Sequence, residues 1–111
     1  MLRDYIKYSI ASVIDTSPAR DLFPGALELM VPVLAKELKP LRINAVSPGV
    51  IDTPWWDFLP EEAKNNVFAD FSSKISAGRV GRPEEVAATV RFILTTEYIN
   101  GIVIGCHGGL E

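Results

Sequence analysis

The architecture of this protein can be worked out from RINAVSPGVIDT, residues 42–53. Its first five residues are mostly apolar, which predicts a strand over 42–46 that is covered on both faces. Ser47-Pro48-Gly49 then ends the strand, because proline lacks an N–H donor and glycine admits conformations closed to other residues. Ligands of open α/β sheets bind beyond the carboxyl ends of the strands. The loop from Pro48 to Thr53 is therefore the strongest candidate for a binding site.

The segments on either side of this stretch alternate between strand and helix patterns. Residues 9–16 predict a strand, residues 25–38 carry apolar side chains at helical spacing, and residues 102–106 predict a third strand. Pro60 and Pro83 are each followed by two glutamates, which predicts helices with proline as their first residue. The order β-α-β-α-α-β predicts an α/β fold: a three-stranded parallel sheet with right-handed crossovers and flanking helices.

The composition is that of one globular domain, since 111 residues with 48% hydrophobic side chains can bury a core. The formal net charge is −3 and no run of lysine or arginine occurs, so nucleic acid and anionic membranes are poor partners. No uncharged apolar stretch reaches the roughly 18 residues of a membrane span, and the N-terminus is unlike a secretory signal. A single cysteine, Cys106, excludes an internal disulfide, so a cytoplasmic location is expected.

Several conspicuous side chains have a structural interpretation beside the functional one. Trp55, Trp56 and Phe58 lie in a stretch predicted to be irregular, 50–59; they could cover a substrate, but packing over an exposed edge is favoured. Cys106 and His107 are too few ligands for zinc, and neighbours on a strand point to opposite faces, so no metal site is expected. The remaining charges are expected at helix starts or in solvated or interface positions: Glu61, Glu62, Glu84, Glu85, Glu28, Arg42 and Asp52.

Three motifs, in this order and at this spacing, resemble the C-terminal half of a short-chain dehydrogenase/reductase. They are LAKELKPLRINAVSPGVIDT (34–53), GRVGRPEEVAATVRFIL (78–94) and YINGIVIGCHGG (98–109). The resemblance covers about residues 9–109 and implies that residues 1–111 form the C-terminal part of a Rossmann-like domain. It also implies an oxidoreductase that uses NAD or NADP and moves hydride between the nicotinamide and an alcohol or ketone.

The same resemblance implies which groups of the 48–53 loop face the cofactor. In this family the loop holds the nicotinamide carboxamide, which implies a cofactor-binding role for Pro48, Gly49, Val50, Ile51 and Thr53. The polar groups for that role are the backbone N–H and C=O of Ile51 and the Thr53 hydroxyl. Gly49 is expected to leave room for a flat ring, with access to positive φ. The alternative is a structural turn retained after cofactor binding was lost.

The chain departs from the family pattern in its catalytic residues. It contains no Gly-x-Gly, the turn that seats a pyrophosphate on a helix N-terminus, and no Tyr-x-x-x-Lys. Ungapped alignment puts Arg20 and Pro24 at the tyrosine and lysine positions; arginine stays protonated and proline has no side-chain donor, so neither can act as acid or base. Ser17 matches the family's catalytic serine, at a shorter spacing from the following helix.

Two functions follow, from different classes. The chain is either part of a nicotinamide-dependent oxidoreductase that is inactive alone, or a non-catalytic, degenerate or fragment module that serves as an oligomeric scaffold. The strand over 9–16 is expected to lie bare at a sheet edge, and such an edge pairs readily with another chain. One face of the helix over 25–38 is also expected to be free, so a homodimer or higher homo-oligomer is predicted.

Overall fold

The computed structural model describes residues 7–11 and 22–110. Strand, helix, strand, 3₁₀ helix, helix, helix and strand follow one another in these two ranges. The elements are β1 (Lys7–Ala11), α1 (Leu22–Glu37), β2 (Arg42–Pro48), the 3₁₀ helix (Pro54–Phe58), α2 (Glu61–Lys74), α3 (Pro83–Thr95) and β3 (Val103–Cys106). This order confirms the α/β fold predicted from the alternating sequence patterns.

The three strands form one sheet in the order β1-β2-β3, and both pairs are parallel. Lys7 of β1 lies opposite Arg42, and Cys106 of β3 lies opposite Pro48. The predicted three-stranded parallel sheet is therefore confirmed. β2 runs beyond the predicted 42–46, because Ser47 and Pro48 also pair with β3. Residues 12–16 of the first predicted strand lie outside the described ranges.

The core is built around β2, the central strand, whose residues from Ile43 to Pro48 are all buried. Ile93 packs there from α3, and the predicted apolar face of that helix is confirmed as its less exposed side. In α1 the predicted face is only partly correct: Val31 is buried, but Met30 and Leu38 are exposed. Ala35 is buried in their place, because a small side chain allows the helix to approach the sheet closely.

Two local predictions are corrected by the structure. Pro83 is the first residue of α3 as predicted, whereas Pro60 flanks α2 and contributes only its carbonyl, which accepts from Lys64 N–H at 2.9 Å. The stretch 50–59 is not wholly irregular, since Pro54 opens a 3₁₀ helix. No helix within the described ranges has the length and apolar character needed to cross a membrane.

The predicted solvated or interface position of Arg42 is wrong. Its Nη1 donates to the carbonyls of Ile93, Thr96 and Ile99 at 3.1, 3.2 and 2.8 Å, and its Nη2 donates to that of Leu94 at 3.2 Å. These carbonyls lie at and just beyond the end of α3, where a helix leaves acceptors unsatisfied and a positive charge is favourable. Arg42 therefore fastens the end of α3 to the start of β2.

Candidate functional site

The candidate site begins where β2 ends, at Gly49. Its N–H donates to the Cys106 carbonyl at 3.0 Å, which continues the pairing of β2 with β3 by one residue. A Cβ at Gly49 would lie 2.7 Å from His107 Cβ and 2.9 Å from His107 Cα. Glycine is needed here for this close approach and not for positive φ, which occurs at Gly78, Gly101, Gly108 and Gly109. The expectation of positive φ at Gly49 is therefore wrong.

The backbone after Gly49 is extended and forms a short parallel bridge with Gly81. Gly81 N–H donates to the Val50 carbonyl at 2.9 Å, and Asp52 N–H donates to the Gly81 carbonyl at 2.9 Å. In extended backbone, successive residues direct their polar groups to opposite edges. The N–H and C=O of Ile51 therefore lie on the edge away from Gly81.

The carbonyl of Ile51 has a partner on that second edge, the indole of Trp56. Trp56 Nε1 donates to it at 2.9 Å. Trp56 N–H also donates to the Thr53 carbonyl at 3.1 Å, which starts the 3₁₀ helix. The Thr53 side chain makes no capping hydrogen bond. The Ile51 N–H and the Thr53 hydroxyl thus have no partner in the described ranges.

An aromatic cluster stands beside this loop, formed by Trp55, Trp56, Phe58 and Phe68. The Trp56 ring packs edge to face against Trp55 at 4.8 Å and against Phe68 of α2 at 5.5 Å between ring centroids. Trp55 and Phe58 remain 65% and 67% exposed. Trp56 therefore anchors the segment, as the predicted packing role requires, while its two neighbours present apolar surface.

Lys64 of α2 lies close to one acidic residue of the loop and to one of the 3₁₀ helix that follows it. Lys64 Nζ lies 3.4 Å from Asp52 and 3.6 Å from Asp57. Because both carboxylates are half exposed or more, solvent screens these pairs and each contributes little to stability. Asp52 is exposed, as predicted for a solvated group. Its ion pair with Lys64 holds α2 near the loop.

A cleft of about 180 Å³ opens between the loop, the turn before α3 and the end of β3. Cys106 and His107 both line it, although opposite faces were expected, because β3 ends at Cys106 and strand alternation stops there. Cys106 Sγ lies 3.4 Å from Thr89 Oγ1, and His107 Nδ1 accepts from Gly109 N–H at 3.2 Å. Residues 7–11 and 22–110 contain no cluster of three metal-ligating side chains.

Glu85, at the rim of this cleft, combines an ion pair with a helix cap. Its carboxylate accepts from both terminal guanidinium nitrogens of Arg79, at 2.6 and 2.9 Å, and from Arg82 N–H at 2.8 Å. The hydrogen bonds from Arg79, followed by the one from Arg82, lower the pKa of Glu85 to about 2. The expected helix-start role of Glu85 is present, and Arg79 adds a partner that sequence reasoning missed.

The depressed pKa of Glu85 predicts a loss of stability in acid. The contribution is fully present above the ordinary pKa of 4.5 and is lost as the pH falls toward about 2, because the folded state binds the proton less readily. We expect Glu85→Gln to reduce the slope of unfolding free energy against pH in this window, as measured by urea denaturation. Glu84→Gln is the control, since Glu84 has no ion pair with a described residue; equal slopes for Glu85→Gln and wild type would contradict the prediction.

The sequence-predicted site residues divide into two groups. Pro48, Gly49, Val50, Ile51 and Thr53 form the continuous loop described above. Ser17 and Arg20 lie outside the described ranges, and Pro24 lies in the first turn of α1. The bond from Trp56 was missed; its only signal in the sequence is an indole a few residues after the candidate loop.

Sequence comparison with known proteins gives matches over most of this chain. The sequence model of the family described as "Enoyl-(Acyl carrier protein) reductase" matches residues 8–111. The 3-oxoacyl-[acyl-carrier-protein] reductase FabG of Thermotoga maritima is 45% identical over 85 residues, which cover 73% of this chain and 33% of that protein. Carbonyl reductase family member 4 of Xenopus laevis is 41% identical over 80 residues, which cover 70% and 31%.

Solved structures give the same result. A small-chain dehydrogenase in complex with NADPH superposes with a TM-score of 0.78 at 28% identity, covering 91% of this chain and 50% of that one. The chain spans about a third of the length of the curated relatives it matches. The matched segment contains all three motifs that suggested the family, together with the parallel sheet they predict. The chain belongs to the short-chain dehydrogenase/reductase family.

Proposed function

We propose that this chain forms the nicotinamide-facing wall of an oxidoreductase site, in a protein that uses NAD or NADP to interconvert an alcohol and a ketone. The observation that carries the proposal is the loop after β2: it lies at the carboxyl end of the central parallel strand, where ligands of such sheets bind. Its relatives include reductases by name, and one similar structure was solved with NADPH.

The polar groups of the loop fit a carboxamide. Ile51 N–H can donate to its oxygen, and the Ile51 carbonyl has a second lone pair beside the one that Trp56 uses. The Thr53 hydroxyl can donate or accept. When bound, such a cofactor supplies or accepts the hydride, while this loop orients the ring and Pro48, Gly49 and Val50 form its backbone support.

We assign the protonation of the ketone oxygen to a tyrosine outside this chain, with a lysine that assists the tyrosine. Arg20 and Pro24 occupy the corresponding positions here and cannot exchange a proton at working pH. Ser17 remains the catalytic candidate within the chain. We therefore expect these 111 residues to bind the nicotinamide without turnover.

A second candidate function is a non-catalytic scaffold that assembles as a homodimer or higher homo-oligomer. Leu29, Met30 and Val33 of α1 favour it, because they are 77%, 48% and 53% exposed in the described structure and form apolar surface of the kind that marks interfaces. Light scattering measures the assembly directly, and a stable monomer at micromolar concentration would exclude it.

The nicotinamide proposal is tested with reduced nicotinamide mononucleotide, the half of the cofactor that this loop would hold. In a titration followed by NMR, we expect millimolar affinity, with backbone shifts concentrated on residues 49–53. Thr53→Val keeps the shape of the side chain but removes the hydroxyl, and should weaken binding about three- to tenfold, the worth of one hydrogen bond.

Thr95→Val is the matched control, since the Thr95 hydroxyl bonds only within the end of α3. It should leave the affinity unchanged. The proposal is overturned if residues 49–53 do not shift at millimolar probe, or if the two threonine variants bind equally well.

A further inference from the structure

The indole of Trp56 reaches back across the loop to a carbonyl that the proposed function needs. Its Nε1 donates to the Ile51 carbonyl at 2.9 Å, in a partly buried position five residues along the chain. An amphipathic side chain such as tryptophan gains from this arrangement, because its ring is partly buried while its N–H finds a partner. The contact connects the aromatic cluster to the Ile51 peptide.

The opposite edge of the same backbone is also held. Val50 C=O and Asp52 N–H are both bonded to Gly81, each at 2.9 Å. The extended chain at Ile51 is therefore fixed from one side by Gly81 and from the other by Trp56. The Ile51 N–H lies on the Trp56 edge and has no partner in the described part of the chain, so its direction is set by these contacts.

The Trp56 ring is itself restrained by α2. Phe68 and Phe71 pack against it at 5.5 and 6.4 Å between centroids, with interplanar angles of 86° and 64°. Such edge-to-face pairs add to the stability gained from burial alone. These contacts hold the ring beside the loop, with its indole N–H directed at the Ile51 carbonyl.

We infer that Trp56 is a positioning residue of the nicotinamide site: its indole N–H fixes the peptide plane between Ile51 and Asp52, so that the free lone pair of the Ile51 carbonyl is presented to a carboxamide. The Ile51 N–H beside it belongs to the preceding peptide plane, which Gly81 holds through the Val50 carbonyl. This inference rests on the proposed function. The ligand chemistry is a planar primary amide on an aromatic ring, which needs one donor and one acceptor side by side. Preorganising both groups lowers the ordering cost of binding.

The test compares two variants that separate the hydrogen bond from the packing. Trp56→Phe keeps an aromatic ring between Phe68 and Phe71 but removes the N–H donor. Phe71→Leu loosens the packing and leaves the donor in place. Binding of reduced nicotinamide mononucleotide, melting temperature and amide hydrogen exchange at Asp52 are measured for the full chain and both variants.

We expect Trp56→Phe to weaken probe binding about three- to tenfold and to speed exchange at Asp52, with a smaller drop in melting temperature than Phe71→Leu causes. Phe71→Leu should show the reverse pattern, with a lower melting temperature and nearly unchanged affinity. Equal affinities for wild type and Trp56→Phe, or parallel losses of affinity and melting temperature in both variants, would overturn the inference.

The exchange measurement distinguishes this inference from the proposed function. If the wild type binds no probe, the proposed function fails whatever Trp56 does. Faster exchange at Asp52 in Trp56→Phe then still supports the control of this peptide by Trp56, and unchanged exchange overturns it.

Discussion

Asn44→Leu is expected to lower the free energy of unfolding by about 3 kcal/mol, since a buried polar group left without a partner costs roughly 1–3 kcal/mol. Asn44 is only 1% exposed in the middle of β2. Its Oδ1 accepts from Ile102 N–H and its Nδ2 donates to the Ile99 carbonyl, both at 3.2 Å. Leucine has a similar branched shape but removes the buried acceptor on which the Ile102 N–H depends.

The control for the loss of stability in Asn44→Leu is Asn66→Leu, on the exposed side of α2. That change replaces the same side chain where no buried group depends on it, and surface substitutions usually alter stability by no more than about 0.5 kcal/mol. Urea denaturation of both variants measures the difference. Similar midpoints for the two would show that the Asn44 amide is not required between β2 and the loop before β3.

Gly49→Ala is expected to lower the free energy of unfolding by about 2 kcal/mol, within the range typical of overpacked sites. The new Cβ would lie 2.7 Å from His107 Cβ and 2.9 Å from His107 Cα. The second contact is with backbone, so a rotamer change cannot relieve it. The segments must separate, which strains the bond from Gly49 N–H to the Cys106 carbonyl.

Gly25→Ala makes the same chemical change with the opposite expected sign. Gly25 lies inside α1, and a Cβ there would meet no described atom within 4 Å. Alanine favours a helix over glycine by about 1 kcal/mol, so this variant should be more stable than wild type. Thermal or urea unfolding distinguishes the two variants. A lower stability of Gly25→Ala or a higher stability of Gly49→Ala than of wild type would contradict the steric argument.

Most elements could be predicted from local patterns, and their errors have a common cause. The apolar spacing in 25–38 identified α1, yet Met30 and Leu38 are exposed while Ala35 is buried. Periodicity defines a face, but which part of that face meets the sheet depends on how closely the helix can approach. The boundary of β2 was likewise short, because the pairing of Ser47 and Pro48 is provided by β3, more than fifty residues later.

The candidate loop could be located from the sequence by its position after a central strand. The contacts that the loop makes could not be predicted. Sequence reasoning explained Gly49 by conformational freedom, whereas the close contact with His107 requires it. Arg42 was expected in solvent or at an interface, and it instead binds four carbonyls at the end of α3. Neither error could be corrected without knowing which distant residues meet.

The sequence by itself determined the order of strands and helices, the parallel sheet, the family and the location of the 48–53 loop, because these follow from short-range periodicity and from motifs with fixed spacing. Only the tertiary structure decided that Trp56 holds the Ile51 carbonyl, that Gly81 holds the other edge, and that Asn44 and Arg42 fasten the segment after α3. The physical reason is that hydrogen bonds have short range and strict geometry. They form where the crossovers bring segments distant in sequence close together, and a local sequence pattern does not predict which segments these are.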